Sequence, residues 1–218
     1  RKSDNLSTEE MLKYLVRIMI IFLVNPLHEC AHAWSAHKLG DDTAKQQGRL
    51  TISPLAHIDP FGALLLLFCG FGWAKPVPVN PRNFKNARKG MMLTAIAGPL
   101  SNLIAGLIGF VAYRLLYNGF YSSQTLYYLE TILFYFIIIN INLCVFNMLP
   151  VPPLDGSRVM TYILPSKAAF WFIRNERFFY GIVMILMFTR ILSIPLSWIS
   201  DLIFNLLMIL TSWIPSVL

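Results

Sequence analysis

Charge is scarce in this chain. Asp, Glu, Lys and Arg make up 13% of its 218 residues, and 11 acids face 18 basic residues. A soluble domain covers itself with charge, which this composition does not supply. Cysteine is scarce too: Cys30, Cys69 and Cys144 all fall in apolar segments, and an odd number so placed builds no disulfide framework. They are expected to be reduced and buried. Internal repeats, low-complexity tracts and long linkers are also missing, so the chain reads as a single membrane-embedded domain over residues 1–218. Its core is at about 11–165 and its C-terminal membrane segments at about 178–218. What is abundant is apolar: 56% of residues are hydrophobic and mean hydropathy is +0.58. Long apolar runs with charge confined between them suit a helical membrane protein, because lipid offers no partner for an exposed backbone amide. The net charge of +7 argues little for nucleic acid, since the basic residues sit in short connections where they set topology. The lipid bilayer is the expected partner; nucleic acid is not.

The pattern predicts an all-α polytopic protein with four to six transmembrane segments. Residues 11–39 form a first helix ended by Gly40. No small-x-small cleavage site precedes its histidines, so it is expected to stay in the mature protein. Residues 41–60 are polar and turn-rich, with a strand-like GRLTIS at 48–53. The apolar run 62–73 spans only about 18 Å as a helix. Together these predict a re-entrant or short β region between the first two full-length spans. Lys75, Arg82, Lys85, Arg88 and Lys89 then follow with no acid among them, which predicts a cytoplasmic loop. A second span covers 91–117, an uncharged extracytoplasmic turn covers 118–124, and a third span covers 125–149. Arg158, Lys167, Arg174 and Arg177 follow on the same side as the first basic loop. A fourth span is expected at 178–198, and 202–218 forms a fifth span or an interfacial helix.

Ionisable residues interrupt the first helix as VNPLHECAHAWSAHKLGD. His28, Glu29 and His32 make H-E-x-x-H. Residues four apart share a helix face, so both imidazoles can reach one cation, and Glu29, about 100° round, can reach a water bound to it. That matches a zinc hydrolase site. The alternative is a set of core residues bonding between helices, but ionisable groups at membrane depth persist mainly where they have a function. Catalytic zinc usually takes three protein ligands, so a third comes from elsewhere. His37, about 140° round from His32, points away. His57 lies in PLAHIDPFG, where it is better suited to holding its loop, with Asp59. Asp155 follows a membrane run in NMLPVPPLDG, where Pro150, Pro152 and Pro153 forbid regular helix. Broken backbone at that depth belongs against protein or a cavity, which makes Asp155 the best third ligand.

HECAH, AGPLSN at 97–102 and NMLPVPPLDG together resemble the site-2 protease family of intramembrane zinc metalloproteases. GRLTISPLAHIDPFG and GWAKPVPVNPRNF look like its short bacterial and archaeal branch without a PDZ domain. The resemblance covers roughly residues 20–160. It implies one Zn²⁺ per chain on His28, His32 and Asp155, with Glu29 as catalytic acid and base. It also implies that Asn102 and Asn140 flank the zinc and hold the substrate carbonyl or developing oxyanion, although plain interhelical bonding is the rival reading. Asn147 is expected to shape the LPVPPLDG turn. A transmembrane substrate must be unwound before cleavage, and Val77, Pro78 and Val79 in KPVPVN are candidates to pair with it as an edge. The expected function is regulated hydrolysis of transmembrane protein or peptide substrates in a prokaryotic cytoplasmic membrane. A catalytically silent helix-binding homologue is the alternative, against which an intact Glu29 and Asp155 count; a metal or ion transporter is a more distant one, against which the lack of inverted repeats and Glu29 between the ligands count. Substrate identity and oligomeric state leave no signal in the sequence.

Overall fold

The computed structural model describes residues 2–117, 124–189 and 191–214, and among these every regular element is helical. α1 (Lys2–Met19) runs through a π turn (Ile20–Val24) directly into α2 (Asn25–Lys38). Its apolar part, Glu10–Lys38, is long enough to cross a bilayer. The π turn has a local cause. Pro26 has no N–H for the carbonyl four residues back, and its ring would press on that carbonyl. In the wider turn, the Asn25 N–H reaches the Ile20 carbonyl instead. One added residue rotates everything downstream by about 100°, so the turn helps set the direction in which H-E-x-x-H faces.

The short β region does not form. Residues 48–53 are irregular, between α3 (Thr43–Gln46) and α4 (Pro54–His57). No partner strand lies beside them among the described residues. The Thr51 carbonyl pairs with the His57 ring, and Pro54 starts a new helix turn. The apolar run that follows is a ten-residue helix, α5 (Pro60–Cys69), packed against α1. Asp59 caps its start through the Gly62 N–H, Gly70 ends it at φ +76°, and Arg17 of α1 donates to the Leu67 carbonyl at 2.6 Å. The return passes close to α5, where a Cβ on Gly62 would lie 2.3 Å from the Trp73 carbonyl oxygen.

A single 3₁₀ turn (Pro81–Asn83) leads to α6 (Ala87–Tyr117), the central helix, which packs against α2, α7 (Gln124–Asn147) and α8 (Gly156–Ile163). Its faces differ in kind. Leu100, Ile104, Ile108 and Leu115 are exposed at lipid-facing spacing, whereas Thr94, Ala95, Gly98, Asn102, Gly106 and Phe110 are buried. The turn expected at 118–124 lies almost wholly outside the described residues. Phe110, Ile137, Ile141, Val145 and Leu207 form one core, and Met19, Val24 and Ile139 form another.

The predicted fourth span at 178–198 is not continuous. α9 (Ser166–Arg174) and α10 (Glu176–Phe188) precede α11 (Ser193–Leu210), and α11 is the fourth helix long and apolar enough to cross a membrane. Pro195 favours the break, because its ring disfavours helix through residue 191 yet fits the first turn of a new helix. Residues 202–210, expected in a separate segment, continue α11.

Candidate metal centre

α2 carries His28 and His32, and Asp155 stands at the start of α8. The His28 Nδ1 is 2.5 Å from the Asn102 side-chain oxygen, and the His32 Nδ1 is 2.8 Å from the Thr94 carbonyl. An oxygen acceptor at each Nδ1 places the proton there and leaves a lone pair on each Nε2. Those two Nε2 atoms are 3.0 Å apart. Asp155 adds Oδ2 at 3.1 Å from His28 Nε2 and Oδ1 at 3.4 Å from His32 Nε2. Asp155 Oδ2 is buried and receives no hydrogen bond despite the nearby nitrogen. Lone pairs converging on a carboxylate repel one another unless a proton or a metal cation lies between them. Ligands of a tetrahedral zinc stand roughly 3.3 Å apart, so the three side chains fit that ion. Among the described residues, this is the group of three or more His, Cys, Asp or Glu whose ligand atoms lie within 4.8 Å of one another.

Close backbone approaches bring the groups together. A Cβ on Gly98 would lie 2.4 Å from His32 Nε2 and 2.6 Å from His28 Cε1, so α6 can pass the two rings only with glycine there. A Cβ on Gly156 would meet the Met148 carbonyl oxygen at 2.2 Å, and its absence lets α8 start against the end of α7. Arg88, at the start of α6, donates to the Thr161, Tyr162 and Leu164 carbonyls and so ties down the far end of α8.

Glu29 accepts a hydrogen bond from the Val77 N–H at 2.9 Å, which brings the KPVPVN segment onto the site. Asn102 and Asn140 are each 1% exposed and joined in a directed chain: Asn102 Nδ2 donates to Asn140 Oδ1 at 3.0 Å, and Asn140 Nδ2 to the Phe136 carbonyl at 2.8 Å. Asn147 turns back to the Leu143 carbonyl. His37 pairs with Asp42, and His57 holds its loop through the Thr51 carbonyl, so neither joins the group; Asp59 caps α5 rather than pairing with His57.

Three contributors were not singled out from the sequence. Thr94 acts through its backbone, which leaves no side-chain signature. Arg49 is buried, and its guanidinium donates to the Lys75 carbonyl. Asp41 gathers the Thr43 hydroxyl and N–H, the Asn80 N–H and the Asn83 amide. Burial works to raise the Asp41 pKa, but these hydrogen bonds outweigh it and hold the carboxyl below the ordinary carboxylate range.

Residues 15–190 match the model of Peptidase family M50. The chain is 43% identical over 183 residues to "Putative zinc metalloprotease YwhC" of Bacillus subtilis, covering 82% of each. It is 25% identical over 185 residues to "Putative zinc metalloprotease Rip2" of Mycolicibacterium smegmatis, covering 82% of this chain and 67% of the relative. It is 30% identical over 136 residues to the protein of the same name from Mycobacterium tuberculosis, covering 60% and 50%. No solved structure matches. With four bilayer-length helices and this family match, the chain belongs to peptidase family M50, the site-2 proteases, and is an integral membrane metalloprotease of a family that uses zinc.

Proposed function

We propose that the chain hydrolyses peptide bonds within or near transmembrane segments of membrane-protein substrates, with one zinc per chain on His28, His32 and Asp155 and with Glu29 as acid and base. The observation that carries the reading is the convergence of two Nε2 lone pairs on the Asp155 carboxylate, whose buried Oδ2 lacks a donor. Bound there, zinc supplies a Lewis acid that polarises the attacking water and the scissile carbonyl. The remaining work falls to the chain's own residues. Glu29 takes the water's proton and delivers it to the departing amine. Asn102 keeps His28 in its Nδ1–H form. Its amide nitrogen gives one of its two hydrogens to Asn140, so the pair orients a ligand, and the second hydrogen leaves a donor for the substrate-holding role expected from the sequence.

A substrate helix hides its carbonyls in its own hydrogen bonds, so it must be unwound and held. The Val79 N–H and the carbonyls of Pro76, Val77, Pro78 and Val79 have no hydrogen-bond partner among the described residues. They lie along the segment whose Val77 N–H touches Glu29, and this supports pairing with an extended peptide there. The basic loop at 75–89 is assigned to the cytoplasmic face of a prokaryotic membrane. Arg88 at the end of α8 supports a common side for both basic segments.

Metal analysis tests the ligand set. Wild type and His57→Ala should carry zinc, and Asp155→Ala should lose it; the reverse pattern would replace Asp155 with His57. Glu29→Gln should keep zinc and fold, while cleavage of a reconstituted transmembrane substrate falls about 10²- to 10⁴-fold. Wild-type cleavage by the zinc-loaded variant would remove Glu29 from the mechanism.

A further inference from the structure

Arg49 is 5% exposed and lies in an irregular segment between α3 and α4. Burying a guanidinium is costly unless a counter-charge or a full set of acceptors repays it. No carboxylate lies within ion-pair distance of Arg49 among the described residues, and its Nε has no hydrogen-bond partner. The arginines at positions 17, 88 and 114 reach carbonyls at or near helix C-termini, where cations are generally favourable. Arg49 has no such use. Its Nη2 donates to the Lys75 carbonyl at 2.5 Å and stands 3.4 Å from the His57 Nδ1. The other His57 ring nitrogen is engaged by the Thr51 carbonyl at 2.7 Å, and the His57 backbone carbonyl accepts the Lys75 N–H at 2.9 Å. Both backbone groups of Lys75 are therefore pinned, one by Arg49 and one by the residue it touches.

Two residues on, the Val77 N–H donates to Glu29 Oε2. Pro76 and Pro78 have no N–H, so the stretch beside Glu29 has few bonds with which to hold itself. We infer that Arg49 is a positioning residue: with His57 it fixes the Lys75 backbone, and through it the Val77 N–H that aligns the Glu29 carboxylate. The inference rests on the reading of Glu29 as acid and base.

The test is amide exchange on the full chain in lipid nanodiscs, for wild type, Arg49→Gln and Arg49→Lys. Zinc content is measured in parallel, along with cleavage of a synthetic leucine-rich transmembrane peptide interrupted by Asn-Pro. In Arg49→Gln, zinc should stay bound and α2, α6 and α7 should keep their protection. The Lys75 and Val77 amides should exchange roughly ten- to a hundredfold faster, the factor expected for losing a charge-assisted hydrogen bond. The turnover number should fall while zinc occupancy does not, and Arg49→Lys, which keeps the charge and a donor, should recover part of both effects. Unchanged exchange at Lys75 and Val77 overturns the inference, as does protection lost throughout the protein together with zinc. If Arg49→Gln does not fold, Arg49→Lys decides by whether faster exchange is confined to 75–80. If wild type and Glu29→Gln cleave the peptide equally, the proposed function fails, and the exchange measurement still tests the clamp.

Discussion

At the scale of single residues, the centre depends as much on an absent side chain as on those present. Gly98 faces both imidazoles, and a methyl group there would overlap the ring atoms. Gly98→Ala should therefore retain wild-type helix content by circular dichroism while zinc affinity falls at least about tenfold, as expected when the rings are pushed off their supporting partners Asn102 and Thr94. Asp41 makes a different prediction. Its folded pKa is depressed, so it contributes stability that is fully present above its unfolded value, near 3.9, and is lost as pH falls through the folded value. Thermal unfolding of wild type should weaken across that acid range, and Asp41→Asn should be less stable near neutrality with a flatter acid limb. An equally steep limb in the variant would assign the acid sensitivity to another carboxylate.

At the scale of elements, short helices do the positioning and arginines secure their ends. α8 carries Asp155 at its start and rests on Arg88 at its finish. Arg88→Ala should lower stability by about 1 kcal/mol, a typical value for a cation at a helix C-terminus. Because α8 presents the carboxylate, zinc dissociation should quicken as well; chelator competition would measure it, and an unchanged rate would show that α8 is held without this contact. The long helices α1 with α2, α6 and α7 were legible from apolar runs and flanking charge. The π turn was not, although Pro26 marks where it must fall. The break before α11 was likewise carried by Pro195, which hydropathy over a long window averages away.

At the scale of the whole molecule, charge asymmetry predicts orientation. With native cysteines replaced, an impermeant reagent applied to intact cells should label a cysteine at Ser122 and spare one at Asn86; the opposite pattern would invert the topology. Exposed Leu100, Ile104, Ile108, Trp198, Leu202 and Leu206 make the outer face of the helices a lipid face, while buried glycines and asparagines bring α6 against α2 and α7.

Membrane embedding, the H-E-x-x-H pair and the proline-broken presentation of Asp155 were determined by the sequence alone. Each depends on local chemistry: apolar length, a four-residue helical repeat, and prolines that cannot donate. Tertiary structure decided which groups meet across long separations. It brought Asp155 to within hydrogen-bond distance of histidines more than 120 positions earlier, gave Thr94 a role through its carbonyl, and delivered Val77 to Glu29. It also turned a strand-like stretch into irregular chain. The physical reason is the same in each case: a backbone group or an extended segment acquires its function only from the partner that packing places beside it, and no residue pattern along the chain encodes that partner.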